Sequence, residues 1–127
     1  MSNAIDLVRE FCDAWGKGAT PAELAAYFTD DAVYHNIPVA PVTGRAAIQS
    51  TIEMFTGGVE RIEFRTTHIV ADGPVVLTER VDVFFLANGT VELPVMGTFE
   101  VVGDKIAAWR DYFDLNQYMT QIQQLGS

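Results

Sequence analysis

Apolar positions recur at helical spacing in the first half of the chain and at period two in the second half. Over residues 4–17, Ile5, Val8, Cys12 and Trp15 share one helical face, and Gly16 and Gly18 end the pattern. A second helix is expected from Thr20, with Pro21 at its first position and Glu23 completing a capping box, running to about Phe28. Residues 32–37 read as a short strand before Pro38, and a Pro-rich loop leads on to Gly44. Residues 45–55 give a third helix, with Ile48, Ile52 and Phe55 on one side and Gly57-Gly58 at its end.

Beyond this point the period changes. Residues 60–70 alternate, placing Ile62, Phe64, Thr66, His68 and Val70 on one face. A turn at 71–74 leads into a long strand, 75–87. Asn88-Gly89 signals a type I′ hairpin into the next strand, 90–102. Gly103-Asp104 turns the chain into a last strand, 105–113, and a short helix of about 114–123 closes it. Helices followed by a meander of strands indicate the α+β class, with the N-terminal helices packed on a mostly antiparallel sheet. The 127 residues suit a single domain, 1–127. The strands are apolar on both faces, so helices can cover one face and a partner chain the other.

Strand 75–87 breaks its own apolar pattern. Its even positions are Val76, Thr78, Arg80, Asp82, Phe84 and Leu86, so Arg80 and Asp82 stand together on an otherwise apolar face. Buried charges are tolerated only when paired or hydrogen-bonded. A two-residue turn at Asn88-Gly89 sets Phe84 opposite Leu93, Asp82 opposite Val95, and Arg80 opposite Gly97, whose missing side chain leaves room beside the guanidinium. The next hairpin admits two registers. A strict two-residue loop pairs Asp111 with Met96, on the wrong face, whereas a bulged loop over Val102-Gly103-Asp104 pairs Asp111 with Val95. In the bulged register Trp109, Asp111 and Phe113 join the Arg80 face. The Asp82 and Asp111 Cα atoms then lie ~10 Å apart, two strand spacings. Tyr34 and Asn36 form another i, i+2 pair, on a strand outside the meander.

Composition narrows the possible roles. A net charge of −9 with eight Lys and Arg disfavours nucleic acid and anionic membranes as partners. The single cysteine, Cys12, excludes an internal disulfide and reads as a small buried hydrophobe. The two histidines and one cysteine are too scattered for a metal cluster, and His68 reads as a core histidine. Phosphate-loop, dinucleotide and nucleophile-elbow motifs are absent, as are internal repeats. With no secretory leader pattern or long apolar run, the expected location is cytoplasmic.

Two carboxylates beside one cation can be driven to different pKa values, giving an acid and a base in one pocket. Such a pair suits opening of an epoxide, with the acid protonating the leaving oxygen and the base activating a water. Spacing alone favours the plainer reading, a structural ion pair of Arg80 with Asp82, and Tyr34 and Asn36 as strand-edge residues making local hydrogen bonds.

The segments Ala-Val-Tyr34-His-Asn36-Ile-Pro, Gly44-Arg45, Leu-Thr-Glu-Arg80-Val-Asp82-Val, Gly97-Thr-Phe99 and Trp109-Arg-Asp111-Tyr-Phe-Asp-Leu, in that order, resemble the limonene-1,2-epoxide hydrolase family. The similarity runs from about Ala4 to Met119. It implies a strongly curved, cone-shaped fold with an interior pocket, similar to nuclear transport factor 2 and cystatin, and a homodimer. It also implies one-step hydrolysis of a small apolar epoxide by water, with no cofactor, no metal and no covalent intermediate. By the same resemblance Asp111 is the base, Asp82 the acid and Arg80 the bridge, while Tyr34 and Asn36 hold the water. Trp15, Leu93, Val95 and Phe113 are the expected pocket walls, from facing and resemblance together. Two alternatives stand beside this: an isomerase or cyclase of the ketosteroid-isomerase and polyketide-cyclase type, and a non-enzymatic protein that binds an apolar ligand.

Overall fold

In the computed structural model, which describes residues 3–126, ten elements follow one another. They are α1 (Ala4–Gly16), α2 (Pro21–Ala25), β1 (Phe28–Asn36), β2 (Val42–Thr43), α3 (Arg45–Thr56), β3 (Arg61–Asp72), β4 (Val75–Leu86), β5 (Gly89–Val102), β6 (Lys105–Tyr112) and α4 (Leu115–Gly126). Residues 1, 2 and 127, part of the expected 1–127 domain, lie outside the described residues. The strands form a six-stranded sheet in the order β2-β1-β6-β5-β4-β3. All neighbours are antiparallel except β1 and β6, which run parallel. The expected α+β class is the one found. Among the described residues no helix is long and apolar enough to cross a membrane.

Local chemistry sets the helix starts. Asn3 Oδ1 accepts from Asp6 N (2.9 Å) to cap α1. The capping box of α2 is complete: Glu23 N donates to Thr20 Oγ1 (3.1 Å), and Thr20 N donates to Glu23 Oε1 (2.8 Å). Helix α2 stops at Ala25, three residues short of expectation, because Phe28 is drawn into the core as the first residue of β1, opposite Ile106. The first strand therefore begins four residues earlier than its pattern suggests, and the Pro-rich loop holds the two-residue β2. Arg45 secures this irregular start: Nε and Nη2 both donate to Phe28 O (3.1 and 2.6 Å), and Nη1 pairs with Asp30.

Phe11 of α1 lies at the centre of the core. Its ring meets those of Trp15, Tyr27, Phe28, Phe99 and Trp109 edge-on, at centroid distances of 5.1–6.1 Å. Cys12 is buried beside it, and burial pushes its thiol pKa up to about 12, so it behaves as a small hydrophobe, as expected.

Three register irregularities bend the sheet, in β1 between Phe28 and Val33, in β3 between Thr66 and His68, and between β5 and β6 at Glu100/Val101. The β3 bulge overturns one expectation. It reverses the alternation at Thr67, so Ile62, Phe64 and Thr66 face inward while His68 and Val70 face solvent. His68 is therefore not a core histidine. It is exposed, with Nδ1 2.9 Å from Glu79 Oε1.

Both hairpin registers also differ from expectation while keeping the expected faces. The β4–β5 loop is Ala87-Asn88, because Leu86 pairs with Gly89. Helix α4 holds it there: Asn88 Nδ2 donates to Leu125 O (2.7 Å), and the Leu125 side chain occupies the space where a Cβ on Gly89 would stand. The resulting two-residue shift puts Arg80 opposite Val95, Asp82 opposite Leu93 and Phe84 opposite Val91, and an even shift leaves each side chain on its face. Between β5 and β6 the loop is Gly103-Asp104, with Gly103 at φ +61°, and the extra residue is Ala107 within the strand. Asp111 thus pairs with Gly97, not with Val95 or Met96.

Candidate active site

The corrected registers explain how two aspartates four residues apart along β5 come to share one arginine. Asp111 stands in a row with Gly97 and Thr78, and Asp82 in a row with Leu93. Arg80, opposite Val95, lies in the row between them. Its Nε and Nη2 donate to Asp82 Oδ1 and Oδ2 (3.0 and 2.8 Å). Its Nη1 and Nη2 donate to Asp111 Oδ1 and Oδ2 (3.1 and 2.8 Å). Nη1 also reaches Thr78 Oγ1 (3.3 Å), whose hydroxyl donates to Gly97 O (3.3 Å). Every side of the guanidinium is thus engaged, and Phe64 covers one face with its centroid 4.5 Å from Cζ.

Gly97 is a steric requirement of this cluster. A Cβ there would overlap Arg80 Nη1 and lie 2.6 Å from Asp111 Oδ1 and 2.9 Å from Thr78 Oγ1. Trp109, two residues before Asp111 and on the same face, donates from Nε1 to Asp111 Oδ1 (2.7 Å). Three N–H groups therefore converge on the Asp111 carboxylate, and Oδ2 keeps a free lone pair. Parallel pairing sets Asn36 beside Asp111 and Tyr34 beside Trp109. The Tyr34 and Trp109 rings stack at 4.2 Å, and Tyr34 Oη donates to Asn36 Oδ1 (3.3 Å).

Burial divides the charges. It pushes the Asp82 pKa up to about 6, against the attraction of Arg80 and its hydrogen bonds, and the neighbouring Asp111 adds to the rise. Burial opposes the charge of Arg80 too, but Asp111 and Asp82 together hold it protonated well above its ordinary value. Burial, helped by Asp111, keeps the Tyr34 phenol far above its usual pKa, so it stays a neutral O–H.

A cavity of about 170 Å³ lies above this cluster. Asp82, Asp111, Tyr34 and Asn36 meet it at the bottom, and Trp15, Ile62, Phe64, Phe84, Leu93, Val95 and Phe113 form its walls. The profile described as the limonene-1,2-epoxide hydrolase catalytic domain matches residues 2–124. The chain belongs to the limonene-1,2-epoxide hydrolase family. Epoxide hydrolase EphG of Mycobacterium tuberculosis is 37% identical over 86 residues, which cover 68% of this chain and 57% of that protein. The solved structure of a limonene-epoxide-hydrolase-like epoxide hydrolase of M. tuberculosis is 31% identical, with a TM-score of 0.81 over 95% of this chain and 90% of that one. A protein of ketosteroid-isomerase-like fold from Catenulispora acidiphila shares the architecture at 23% identity. Its TM-score is 0.82, over 91% of each chain.

Of the nine residues singled out by facing and by the resemblance to this family, eight line the cavity: Trp15, Tyr34, Asn36, Asp82, Leu93, Val95, Asp111 and Phe113. Arg80 does not. Its side chain is wholly buried beneath the floor and meets the cavity only through the carboxylates it holds. The sequence reading missed the remaining walls, Val39, Phe55, Ile62, Phe64, Phe84, Leu115 and Tyr118, and the hydrogen bond from Trp109. Trp109 was within reach of period-two reasoning, since i and i−2 share a face. Val39, Phe55, Leu115 and Tyr118 belong to a loop and two helices, whose approach to the pocket has no sequence period. Among the described residues no group of three or more His, Cys, Asp and Glu is placed to hold a metal ion.

Proposed function

We propose that this protein adds water to a small apolar epoxide and yields a vicinal diol in one acid–base step, with no covalent intermediate and no cofactor. The observation that carries this reading is the pairing of two cavity-facing carboxylates, Asp82 and Asp111, through one buried arginine at the base of an apolar chamber. Asn36 and Tyr34 stand beside Asp111, so a water there can accept from Asn36 Nδ2 and donate to Tyr34 Oη and Asp111 Oδ2. Asp111 takes the proton as the water oxygen attacks a ring carbon. The carbon–oxygen bond breaks, and Asp82, raised to about 6, gives its proton to the departing oxygen. Arg80 touches neither water nor epoxide; it positions both carboxylates. A ketosteroid-isomerase-like neighbour shares the fold, but that chemistry uses one carboxylate base with an oxyanion donor, and an arginine clamped between two cavity-facing aspartates suits it poorly.

The chamber slightly exceeds the ~150 Å³ that admits benzene in an engineered apolar cavity, so one ring fits. The outer face of the sheet exposes Leu77, Met96 and Tyr112, with Met96 and Tyr112 directly paired, and this apolar stripe supports a homodimer. The lone buried Cys12 thiol suits a reducing, cytoplasmic setting.

The test is diol formation from cyclic and styrene-type epoxides. Asp111→Asn and Asp82→Asn should each lower the rate by about 10²–10⁴-fold. Hydrolysis that survives both substitutions would sink the assigned roles. In a single turnover in oxygen-18 water the first diol should carry label; an unlabelled first diol would mean a covalent aspartyl ester.

A further inference from the structure

The charged cluster includes one aliphatic hydroxyl, that of Thr78, which is buried and does not line the cavity. A guanidinium carries five N–H groups. Here four of them go to carboxylates. Nε and one Nη2 proton take Asp82, and the other Nη2 proton and one Nη1 proton take Asp111. The fifth, on Nη1, goes to Thr78 Oγ1 (3.3 Å). The hydroxyl has a single proton and donates it to Gly97 O (3.3 Å), so Oγ1 meets Arg80 as an acceptor only. Thr78, Gly97 and Asp111 stand in one row of the sheet, on the side of Arg80 away from the Asp82 row. Phe64 covers one face of the guanidinium, with its centroid 4.5 Å from Cζ, so the direction left for movement is within the plane, toward Asp111 or toward Asp82. Thr78 holds it on the Asp111 side.

We propose that Thr78 is a positioning residue, the anchor that keeps Arg80 shared between the two aspartates. This rests on the acid–base reading above. Without the hydroxyl, one N–H of a buried cation is left with no acceptor, at the full cost of its desolvation. The guanidinium then slides off the Thr78–Asp111 row toward Asp82, while Asp111 keeps the N–H of Trp109. A closer guanidinium favours ionised Asp82, whose proton the proposed acid step needs. Around Asp82 the titratable and charged groups are Arg80 on its own strand, Asp111 from β6, Tyr34 from β1, Cys12 from α1 and Tyr118 from α4. Burial raises both tyrosines and the thiol, which stay neutral, so the balance at Asp82 lies with Arg80 and Asp111.

The experiment compares Thr78→Val, which keeps the branched shape and removes the acceptor, with Thr78→Ser, which keeps the hydroxyl. The first readout is the titration of the Asp82 carboxyl carbon in carbon-13-labelled protein, assigned by its absence in Asp82→Asn. It should move down by about one pH unit in Thr78→Val and return toward the parent value in Thr78→Ser. The second is the pH profile of cyclohexene oxide hydrolysis. Its descending limb should move down with the titration, so Thr78→Val loses about ten-fold in kcat/KM near pH 7 and less below about pH 5. The loss should fall on kcat with KM little changed, because Thr78 does not line the cavity. An Asp82 titration that is unmoved or raised in Thr78→Val, or a loss that Thr78→Ser does not restore, overturns the proposal and leaves the epoxide reading intact. Lower thermal stability with an unmoved titration makes Thr78 a packing residue only. If Thr78→Val does not fold, Thr78→Ala carries the same expectation. The titration needs no substrate: a protein that hydrolyses no epoxide loses the epoxide reading, while the Asp82 shift still decides the role of Thr78.

Discussion

The floor and the mouth of the chamber are built on opposite principles. At the floor, charges sit in rows of a continuous sheet, and all five N–H groups of the Arg80 guanidinium lie among fixed acceptors: Asp82, Asp111 and Thr78. At the mouth, α4 lies where β6 has ended. Strand β6 stops at Tyr112 opposite Met96, so Glu92, farther along β5, pairs with Val83 of β4 but has no strand on its β6 side. Gln121 of α4 takes that place: its Oε1 accepts from Glu92 N (3.0 Å) and its Nε2 donates to Glu92 O (2.8 Å). No residue of α4 is fully buried. Strand register therefore holds the groups proposed to react, which need positions good to fractions of an ångström, while a surface helix held by a few exposed contacts borders the mouth. Substitutions in the two regions should fail in different ways.

The largest effect is expected at Gly97. In Gly97→Ala the new methyl meets three atoms of a fully bonded cluster, none of which is a free chain end. Overpacking of this kind costs about 1–3 kcal/mol in stability. A displacement of about 1 Å at a reacting group can cost ~10²-fold in rate. Unfolding curves together with diol formation check both. A variant with parent-like activity would mean that the cluster yields easily, and the contrast between floor and mouth would collapse.

This cluster also marks how far the sequence was legible. Strand parity put Arg80 and Asp82 on the pocket face and foresaw that Gly97 leaves space for the guanidinium, although both hairpin pairings were two residues or a bulge away from the real ones. The reading survived because side-chain facing depends only on odd or even displacement. Where a single unexpected residue intervened, it failed. The Thr67 bulge sent His68 to solvent, and no local signal in Arg65-Thr66-Thr67-His68 announces it. Asp111 was right by an equivalent error: the extra residue is Ala107, not part of the loop. That Arg80 lies under the floor was not legible at all. Facing separates inside from outside, but depth is decided by which side chains stack over a residue, and Phe64 arrives from a different strand.

A smaller effect, but one that tests the floor's electrostatics, is the pH profile. In the proposed step Asp82 must carry its proton to act as the acid, and burial raises its pKa to about 6. kcat/KM should therefore be insensitive to this group below about pH 6 and fall ten-fold per pH unit above it. A profile that rises through that range would reverse the assignment of acid and base.

Smaller again is Trp109→Phe. The ring keeps its stacking on Tyr34 and Phe99, but the Nε1–H to Asp111 Oδ1 is lost. The remaining donors to Asp111 all come from Arg80, so the carboxylate gains freedom to turn. A loss of about ten-fold, or ~1.4 kcal/mol of transition-state stabilisation, is expected in kcat with KM little changed. Equal loss in the presence and absence of a functional Asp111 would make Trp109 a packing residue only.

The smallest effect separates the two regions most cleanly. Gln121→Ala removes both hydrogen bonds between α4 and the Glu92 backbone but touches nothing at the floor. Both groups lie at an exposed edge where water can replace the side chain, so the stability cost should be at most about 1 kcal/mol. Leu115 and Tyr118, carried by the same helix, would hold the mouth less firmly, and Tyr118 would lose part of its fixed contact with Phe84 (5.3 Å between centroids). KM should rise a few-fold while kcat stays at the parent value, because the interactions lost are uniform in ground and transition states. If kcat instead falls as it does in Gly97→Ala, the helix is part of the reacting geometry, and mouth and floor form one mechanical unit.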